Sequence, residues 1–234
     1  MVFFTRRCAV RLTVIVPAYN ERGIVLETLR RVLASPVDKQ VIVVDDGSTD
    51  GTSELLDSFN HPDLQVIHHA RNQGKGAAIR TALKYAAGDA IIIQDADGEY
   101  DPRDYPNLLK PLQAGRADVV YGSRFLGDMG YMPLANRIWN YFVSFLARLL
   151  FHAKLTDEGT CYKLFRADVL KAIPLRCQRF EFCPEVTAKA LKRGLRLEEV
   201  PIRYSARTAK QGRKIKWHDA FRITWALIKY RFVD

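Results

Sequence analysis

The sequence predicts an α/β fold with a mainly parallel central sheet that is flanked by helices. Short runs of β-branched residues alternate with stretches of helical spacing along the first half of the chain. Polar and glycine-bearing segments follow these runs, as they do at the strand ends of open α/β sheets. A composition of 48% hydrophobic and 26% charged residues is typical of a protein with a well-formed core.

The size and charge of the chain limit the classes to which it can belong. Its 234 residues suffice for a single domain, and a net charge of +10 indicates an acidic partner. That partner would be a phosphate-bearing substrate, an anionic membrane surface or a nucleic acid. The four cysteines form no CxxC pair, which favours free thiols in a reducing compartment over disulfides or a zinc site. They are Cys8, Cys161, Cys177 and Cys183.

No targeting segment is apparent. Residues 1–16 contain Arg6, Arg7 and Arg11 in a mildly apolar stretch, without the apolar core and cleavage site of a signal peptide. No run is long and uncharged enough to span a bilayer. The expectation is a cytoplasmic protein that contacts a membrane, if at all, from its surface.

The strands and helices of the first half follow from hydrophobic periodicity. The predicted strands are 12–16, 40–44, 64–68 and 90–94. Helical spacing of Val25, Leu29 and Val32 predicts a first helix, with Asn20 or Glu21 near its cap. Further helices are expected over 53–59 and from the glycine-rich segment 72–76. Alternation of this kind gives βαβ units and a mainly parallel sheet.

Three carboxylates follow the fourth strand at alternate positions. Asp95, Asp97 and Glu99 come directly after the apolar run 91–93, so they are expected at the carboxyl edge of the sheet. Carboxylates this close repel one another unless a positive charge lies among them. A hard divalent cation, held together with phosphate oxygens, would supply that charge. The alternative is a solvated acidic turn or the start of a helix.

Two more loops reach the same edge. Segments 17–21 and 45–50 both follow strands, and an acid there can accept from a base N–H or a ribose hydroxyl. There is no GxGxxG after the first strand and no Walker sequence, which argues against those two nucleotide-binding folds. Segment 72–76 either receives a phosphate or simply begins a helix with glycines.

Four motifs, in order, resemble the family 2 glycosyltransferases of the GT-A fold. They are VPAYNE at 16–21, VDDGSTD at 44–50, NQGKG at 72–76 and DAD at 95–97. Later stretches at 121–125, 156–166 and 199–202 resemble the dolichyl-phosphate mannose synthase branch. The resemblance implies a GT-A fold with amphipathic interface helices. It divides the domain into a nucleotide-sugar-binding half, 1–115, an acceptor-binding half, 116–210, and a basic amphipathic segment, 211–234.

The resemblance also implies roles for residues at the donor side. Asp46 would lie on the base or ribose, while Asp97 and Glu99 would bind Mg²⁺ or Mn²⁺. Related enzymes often have Gln where this chain has Glu99, and the extra negative charge should tighten metal binding. The residues implied around the nucleotide sugar are Pro17, Ala18, Tyr19, Glu21, Asp46, Lys75, Asp95, Ala96 and Arg207.

On the acceptor side, the resemblance places two arginines at a phosphate. Arg124 follows the strand predicted at 118–122, and Arg137 begins an apolar stretch. A guanidinium matches phosphate oxygens with two hydrogen bonds, although a surface salt bridge is the alternative for Arg124.

Asp157 stands where many inverting family 2 enzymes carry their catalytic base. A base is needed when the acceptor is a hydroxyl, which must lose a proton as it attacks. A lipid phosphate is already an anion and needs positioning instead. Asp157 would therefore orient the acceptor or cap a following helix. With Asp97 and Arg124 it completes the catalytic set that the resemblance implies.

Two stretches are suited to a lipid surface. Residues 136–152 are apolar nearly all round, which favours contact with lipid or another chain in addition to the core. Residues 217–232 combine aromatic and basic side chains, as membrane-surface helices do. Between them, the basic loop 205–217 carries no acid and either closes over a diphosphate or forms a solvated tail.

The favoured hypothesis is a metal-dependent inverting glycosyltransferase. It would move a hexose, preferably mannose from GDP-mannose, to a polyprenyl phosphate at the membrane surface. One alternative is a family 2 enzyme with a sugar or protein hydroxyl acceptor and Asp157 as base. The other is a non-enzymatic nucleic-acid binder, which the acid-lined strand ends disfavour. The expected partners are therefore nucleotide sugar, polyprenyl phosphate, a membrane surface and another copy of the chain, but no nucleic acid.

Overall fold

A computed structural model describes residues 10–207 and 217–233. Within these ranges, seven strands form a single sheet in the order β3-β2-β1-β4-β6-β5-β7. The strand bounds are β1 Leu12–Ala18, β2 Lys39–Asp45, β3 Leu64–His68, β4 Ala90–Ile93, β5 Val119–Ser123, β6 Lys163–Arg166 and β7 Leu197–Pro201. The predicted features at Arg6, Arg7, Cys8 and the basic cluster 213–216 lie outside the described residues.

Helices cover the sheet. In chain order their bounds are α1 Val25–Ala34, α2 Thr52–Asp57, α3 Lys75–Leu83, α4 Tyr105–Gln113, α5 Leu134–Phe151, α6 Ala167–Ala172, α7 Phe182–Lys192 and α8 Trp217–Phe232, with a 3₁₀ turn at Pro102–Asp104. Helix α3 packs against β1 and β2, and α4 against β5, β6 and β7. Helix α8 packs against α5 and α7, which places both lipid-suited segments side by side.

The mainly parallel sheet is confirmed, with β6 as the exception. β6 runs antiparallel to both neighbours, whereas the other pairs are parallel. The sequence pattern does not predict β6, α4 or α6. β6 has only four residues, and two of them, Lys163 and Arg166, are basic. A strand so short and so polar has no local periodicity to reveal it.

The first helix begins at the first residue of its predicted apolar spacing. It starts at Val25 with Ile24 as its cap, and the Glu21 carbonyl oxygen accepts from the N–H groups of Ile24 and Val25, so Glu21 lies near the cap as expected. Asn20 has a left-handed backbone with φ of 50°, and its side-chain oxygen accepts from Thr49 N at 2.8 Å. The polar group that would cap a helix instead joins the loops after β1 and β2.

The strand order brings the predicted loops together. β1 lies between β2 and β4, so the polar segments after these three parallel strands meet at one carboxyl edge. Chain direction reverses beside β4, where the antiparallel β6 is inserted. Just after β4, the Gln94 side-chain oxygen accepts from the Tyr105 and Tyr162 hydroxyls at 2.6 Å each, which fixes the start of the acidic segment.

Helices α5 and α8 expose large apolar side chains. On α5 the fully buried residues are small, Val143, Ser144 and Ala147, whereas six bulky apolar ones are exposed. The exposed α5 residues, called here the α5 stripe, are Leu134, Ile138, Tyr141, Phe142, Phe145 and Leu149. No helix in the described part of the chain combines the length and apolar character needed to cross a bilayer. The three described cysteines are free thiols, as predicted.

Candidate active site

Lys75 and Asp95 form a salt bridge at the carboxyl edge of the sheet. Lys75 is the first residue of α3, and its Nζ lies 2.6 Å from Asp95 Oδ1 and 3.4 Å from Cys161 Sγ. Burial, the largest single effect, would lower the pKa of Lys75, but the charge and hydrogen bond of Asp95 together with the nearby Cys161 and Cys183 raise that pKa well above the ordinary value. Burial would raise the pKa of Asp95, and Lys75 lowers it below its usual range. Both groups are therefore charged at neutral pH.

Arg207 joins three acidic residues at the same edge. Its guanidinium lies 2.9 and 3.0 Å from the two carboxylate oxygens of Glu21 and 3.3 Å from Asp97 Oδ2. Its backbone N–H donates to Glu99 Oε1 at 2.8 Å. The segment after β7 thus closes onto the loops after β1 and β4, and its one guanidinium contacts both a donor-side acid and a predicted metal ligand.

Asp97 remains short of positive charge despite this contact. Burial, followed by the charges of Asp95 and Glu99, raises the pKa of Asp97 to about 7, with Arg207 acting in the opposite direction. Among the described residues, no group of three or more acidic, His or Cys side chains is arranged to hold an ion. Asp97 and Glu99 nevertheless offer carboxylate oxygens, and Mg²⁺ usually takes one or two protein carboxylates together with phosphate oxygens. The donor set fits a divalent cation bound with a diphosphate.

Tyr204 connects the predicted metal ligand Glu99 to Arg124. Its hydroxyl donates to Glu99 Oε2 at 2.8 Å, and its ring lies 5.1 Å from the Arg124 guanidinium carbon. Its backbone pairs with Tyr100 and with Met129. The sequence indicates no role for Tyr204, because nothing near it in the chain shows that Glu99 is its partner.

Asp46 serves a purpose that the sequence did not predict. Its carboxylate accepts from the backbone N–H groups of Gln73 at 2.9 Å and Gly74 at 2.7 Å, and is hydrogen-bonded to His69 Nδ1 at 2.7 Å. The buried carboxylate thus holds the glycine-rich segment that carries Lys75. Gly74 has φ of 99°, and a Cβ there would come 2.5 Å from the Gln178 carbonyl oxygen. A contact from Asp46 to base or ribose stays a prediction.

The remaining donor-side residues lie at the ends of β1 and β4. Pro17 and Ala18 complete β1, Tyr19 follows it half-buried, and Ala96 is buried between Asp95 and Asp97. The Ala96 carbonyl oxygen accepts from Thr28 Oγ1 at 3.1 Å. These residues line the same edge as the Lys75–Asp95 pair, as the motif order implies.

Arg124 and Asp157 form a buried pair on the acceptor side. Asp157 accepts from the Arg124 backbone N–H at 2.9 Å as well as from its guanidinium. Burial would lower the pKa of Arg124, and the Asp157 charge raises it well above the ordinary value. The element after Asp157 is strand β6, so the expectation that Asp157 caps a following helix is wrong. The surface salt bridge considered for Arg124 is also wrong, since Arg124 is only 5% exposed.

Two further residues support this pair. The Glu199 carboxylate accepts from the backbone N–H groups of Thr156 at 2.7 Å and Asp157 at 3.0 Å, and Asn140 Oδ1 accepts from Arg124 at 3.1 Å. Neither was assigned a role from the sequence. Asn140 gave one usable signal, as an amide within the apolar stretch 136–152. Glu199 lies on β7, and its partner is 42 residues away in the chain.

Arg137 is separate from the buried pair. It is exposed on α5, one turn before Asn140, and its guanidinium carbon lies 5.8 Å from the Tyr141 ring centre. It therefore lies beside the α5 stripe, while Arg124 lies inside. The two predicted acceptor-phosphate arginines are linked through the helix that carries Asn140.

The chain matches known proteins over most of its length. The family model for glycosyl transferase family 2 matches residues 13–173. An undecaprenyl-phosphate mannosyltransferase from Micrococcus luteus is 31% identical over 207 residues, covering 84% of this chain and 84% of the relative. A UDP-N-acetylglucosamine–dolichyl-phosphate N-acetylglucosaminyltransferase from Methanococcus voltae is 30% identical over 210 residues, covering 81% and 83%.

A solved structure shows the same fold. Glucosyl-3-phosphoglycerate synthase from Mycobacterium tuberculosis, in complex with Mn²⁺, UDP and phosphoglyceric acid, superposes with a TM-score of 0.72. It is 17% identical, and the match covers 96% of this chain and 80% of the synthase. At that identity the likeness establishes the architecture, which is the GT-A fold that the sequence predicted.

Proposed function

Since the chain belongs to glycosyltransferase family 2 and is a glycosyltransferase, we propose that it transfers a hexose from a nucleotide sugar to a polyprenyl phosphate. We propose mannose, from GDP-mannose, as the hexose. One observation carries the proposal: the Lys75–Asp95 and Arg207–Asp97 ion pairs lie at one sheet edge, and Tyr204 joins that edge to Arg124. Both named relatives carry a polyprenyl-type phosphate in their names.

The donor diphosphate is proposed to bind between two cations that the fold supplies. Lys75 at the start of α3 and Arg207 after β7 both contact carboxylates at this edge, and a diphosphate would give both of them additional anionic partners. Asp97 and Glu99 would hold Mg²⁺ or Mn²⁺, as supported by the manganese and UDP of the structurally similar synthase. When bound, such an ion stabilises the charge that develops on the departing nucleoside diphosphate.

The acceptor phosphate is proposed to approach from the side of Arg124 and Arg137. One of its oxygens forms a bond to the anomeric carbon while the bond from that carbon to the donor diphosphate breaks. The bonding electron pair leaves with the nucleoside diphosphate, and attack from the opposite face inverts the anomeric centre. Because the acceptor oxygen is already anionic, no proton has to be removed. Asp157 then acts as a positioning residue that fixes the Arg124 guanidinium.

A membrane surface is proposed to deliver the acceptor. The α5 stripe exposes Phe145 at 54%, Ile138 at 60% and Leu134 at 70%. Arg137 lies on the same helix, where its charge can reach a lipid phosphate. An exposed apolar face of this extent, next to basic residues, matches a helix that lies in the interfacial region.

The direct test is transfer of radiolabel by purified protein. We expect labelled mannose to move from GDP-mannose into polyprenyl phosphate in detergent with Mn²⁺ or Mg²⁺, and into the organic phase on extraction. A polyprenol of equal length without its phosphate is the matched control acceptor and should remain unlabelled. UDP-glucose and UDP-N-acetylglucosamine test the choice of donor. If none of these donors labels the lipid phosphate, the proposed function is wrong.

A further inference from the structure

A cavity of about 390 Å³ lies between helix α8 and the segment that precedes α7. This cavity, called here the α8 cavity, is separate from the residues of the transfer site. Its charged and aromatic lining comes from both walls: Arg179, Glu181, Arg222, Trp225, Lys229 and Tyr230. The volume is within the range of sites that bind small molecules or headgroups.

The α8 cavity carries a surplus of positive charge. Arg179, Arg222 and Lys229 face it against the single carboxylate of Glu181. None of these three cations forms an ion pair with any residue that the structure describes. All three are exposed to solvent, in contrast to Lys75, Arg124 and Arg207, which are buried or half-buried and pair with carboxylates. The lining is therefore complementary to an anion.

The position of the α8 cavity indicates where that anion comes from. Phe221, Trp225 and Phe232 are 70%, 65% and 79% exposed and lie along one side of α8, because their spacing of four and seven residues returns to the same helix face. Arg222 and Lys229, also seven apart, form the adjoining strip. Trp225 belongs to both surfaces, since it is exposed and also lines the cavity.

We propose that the α8 cavity binds the phosphate headgroup of an anionic membrane lipid. The aromatic side of α8 would enter the interfacial region, and the basic strip would then lie at headgroup depth, where Lys and Arg attract anionic lipids. A bound headgroup would give Arg179, Arg222 and Lys229 the counter-charge that they otherwise lack. The inference rests on the proposed membrane surface, although it concerns a site distinct from that of the transferred lipid.

The choice of variants follows from the contacts of each wall. Arg179 is unsuitable, because its side chain packs against Gly74 and so supports the segment that carries Lys75; a Cβ on Gly74 would come 2.8 Å from Arg179 Cγ. Arg222 and Lys229 reach the cavity from α8 alone. The double variant Arg222→Gln/Lys229→Gln therefore removes two charges from the cavity and leaves the transfer site intact.

A matched control removes the same amount of charge at positions outside the cavity. Arg148 on α5 and Arg231 on α8 are both exposed and lie outside the cavity lining. Arg148→Gln/Arg231→Gln thus has the same net charge as the cavity variant. Thermal melting of both variants shows whether each is folded before binding is compared.

The experiment is co-sedimentation of the full chain with vesicles of phosphatidylcholine alone or with phosphatidylglycerol added. We expect the unmodified protein to prefer the anionic vesicles, and the cavity variant to lose about 30-fold in affinity for them. The control variant should lose less than about fivefold, because its charges act only through the diffuse surface potential. Binding to pure phosphatidylcholine should be equal for all three proteins.

The other outcomes overturn the inference in distinguishable ways. Equal losses in the two variants would mean that charge attracts the protein diffusely, without a site. Calorimetry can compare inorganic phosphate with the vesicles. If inorganic phosphate binds as tightly as the vesicles do, the α8 cavity is a site for free anions. If the unmodified protein binds neither kind of vesicle, both the headgroup site and the proposed membrane contact are wrong. The radiolabel assay in detergent still tests the transfer reaction separately.

Discussion

Arg124 and Asp157 are joined by a two-point salt bridge in the interior of the protein. Arg124 Nε lies 2.7 Å from Asp157 Oδ2, and a terminal guanidinium nitrogen lies 2.7 Å from Oδ1. Their side chains are 6% and 0% exposed. Both oxygens of Asp157 are thus engaged by the arginine, which suits a group that positions Arg124 and does not suit one that takes a proton from an acceptor hydroxyl.

Asp157→Asn should affect the stability of the protein more than its catalytic turnover. The amide keeps the volume but leaves Arg124 without its counter-charge, and breaking a buried ion pair costs about 3 kcal/mol. We expect a lower denaturation midpoint and a less than about hundredfold fall in turnover with polyprenyl phosphate, measured where the variant is folded. Glu158→Gln, at a neighbouring buried carboxylate whose ion-pair partner is Lys163 at 3.8 Å, is the control. Near-total loss in a folded Asp157→Asn protein would favour a base and a hydroxyl acceptor.

Arg207→Gln should separate metal binding from transfer. The guanidinium contacts Asp97, so its removal should strengthen binding of Mn²⁺ alone by severalfold. The same change should lower kcat/KM by about hundredfold, because the departing diphosphate loses a cationic partner. Titration calorimetry and label transfer give the two readouts. Arg203 lies in the same segment as Arg207 and pairs with Asp104, so Arg203→Gln is the control.

A parallel fall in both quantities for Arg207→Gln would contradict competition between Arg207 and the cation. It would indicate that Arg207 instead maintains the shape of the carboxylate cluster. A variant that retains full activity would remove Arg207 from the proposed diphosphate site.

Glu99→Gln should weaken metal binding while most of the neighbouring hydrogen bonds remain. The amide oxygen can still accept from the Arg207 backbone N–H, and the amide nitrogen can donate to the Tyr204 hydroxyl oxygen, while one negative charge is lost. We expect Mn²⁺ affinity in the presence of GDP to fall about tenfold, as measured by electron paramagnetic resonance. Glu198→Gln, at a partly exposed pair with Arg116, should leave it unchanged. If the Glu99→Gln protein has an unchanged affinity for Mn²⁺, Glu99 is not a metal ligand.

Polar substitution of the α5 stripe should release the protein from lipid. Ile138→Ser/Phe145→Ser removes two side chains that are 60% and 54% exposed, so folding should be little affected. We expect binding to phosphatidylcholine vesicles to drop at least about tenfold, since each such side chain contributes on the order of 1 kcal/mol or more when buried in lipid. Tyr85→Ser, at a 49% exposed position on another surface, is the control. Equal binding by all three proteins would contradict the proposed orientation.

His68 should make stability fall with rising pH as the side chain loses its proton. Burial would lower the pKa of His68, but hydrogen bonds to Asp45 and Asp57 outweigh it and raise the pKa above its ordinary value. The protonated form is therefore favoured in the folded state, and its stabilisation is complete below the unfolded pKa and is lost as pH rises through the folded one. The side chain is 37% exposed, so screening limits the effect.

We accordingly expect His68→Gln to lower the free energy of unfolding by about 0.5 kcal/mol at pH 6 and to make no difference at pH 9. Urea denaturation at both pH values measures this difference. His61→Gln, at a histidine with one acidic neighbour at 3.8 Å, is the comparison. A His68→Gln deficit that is the same at both pH values would mean that packing, and not charge, accounts for it.

The sequence by itself determined the strand ends and the chemistry placed there. β-branched runs and turn residues act over a few neighbouring positions, so β3 could be bounded correctly and the acids at 95, 97 and 99 placed after β4. The motifs after β1, β2 and β4, together with the start of α3, were also sufficient to indicate the family, whose model matches residues 13–173.

Only the tertiary structure decided which of these groups meet. Glu21 and Arg207 are 186 residues apart, Glu99 and Tyr204 are 105 apart, and Arg124 and Asp157 are 33 apart. Their contacts depend on strand order, on the reversed β6 and on the return of the chain after β7. Local propensity does not encode strand order or register, because both depend on how the packed helices and strands bury their apolar faces together.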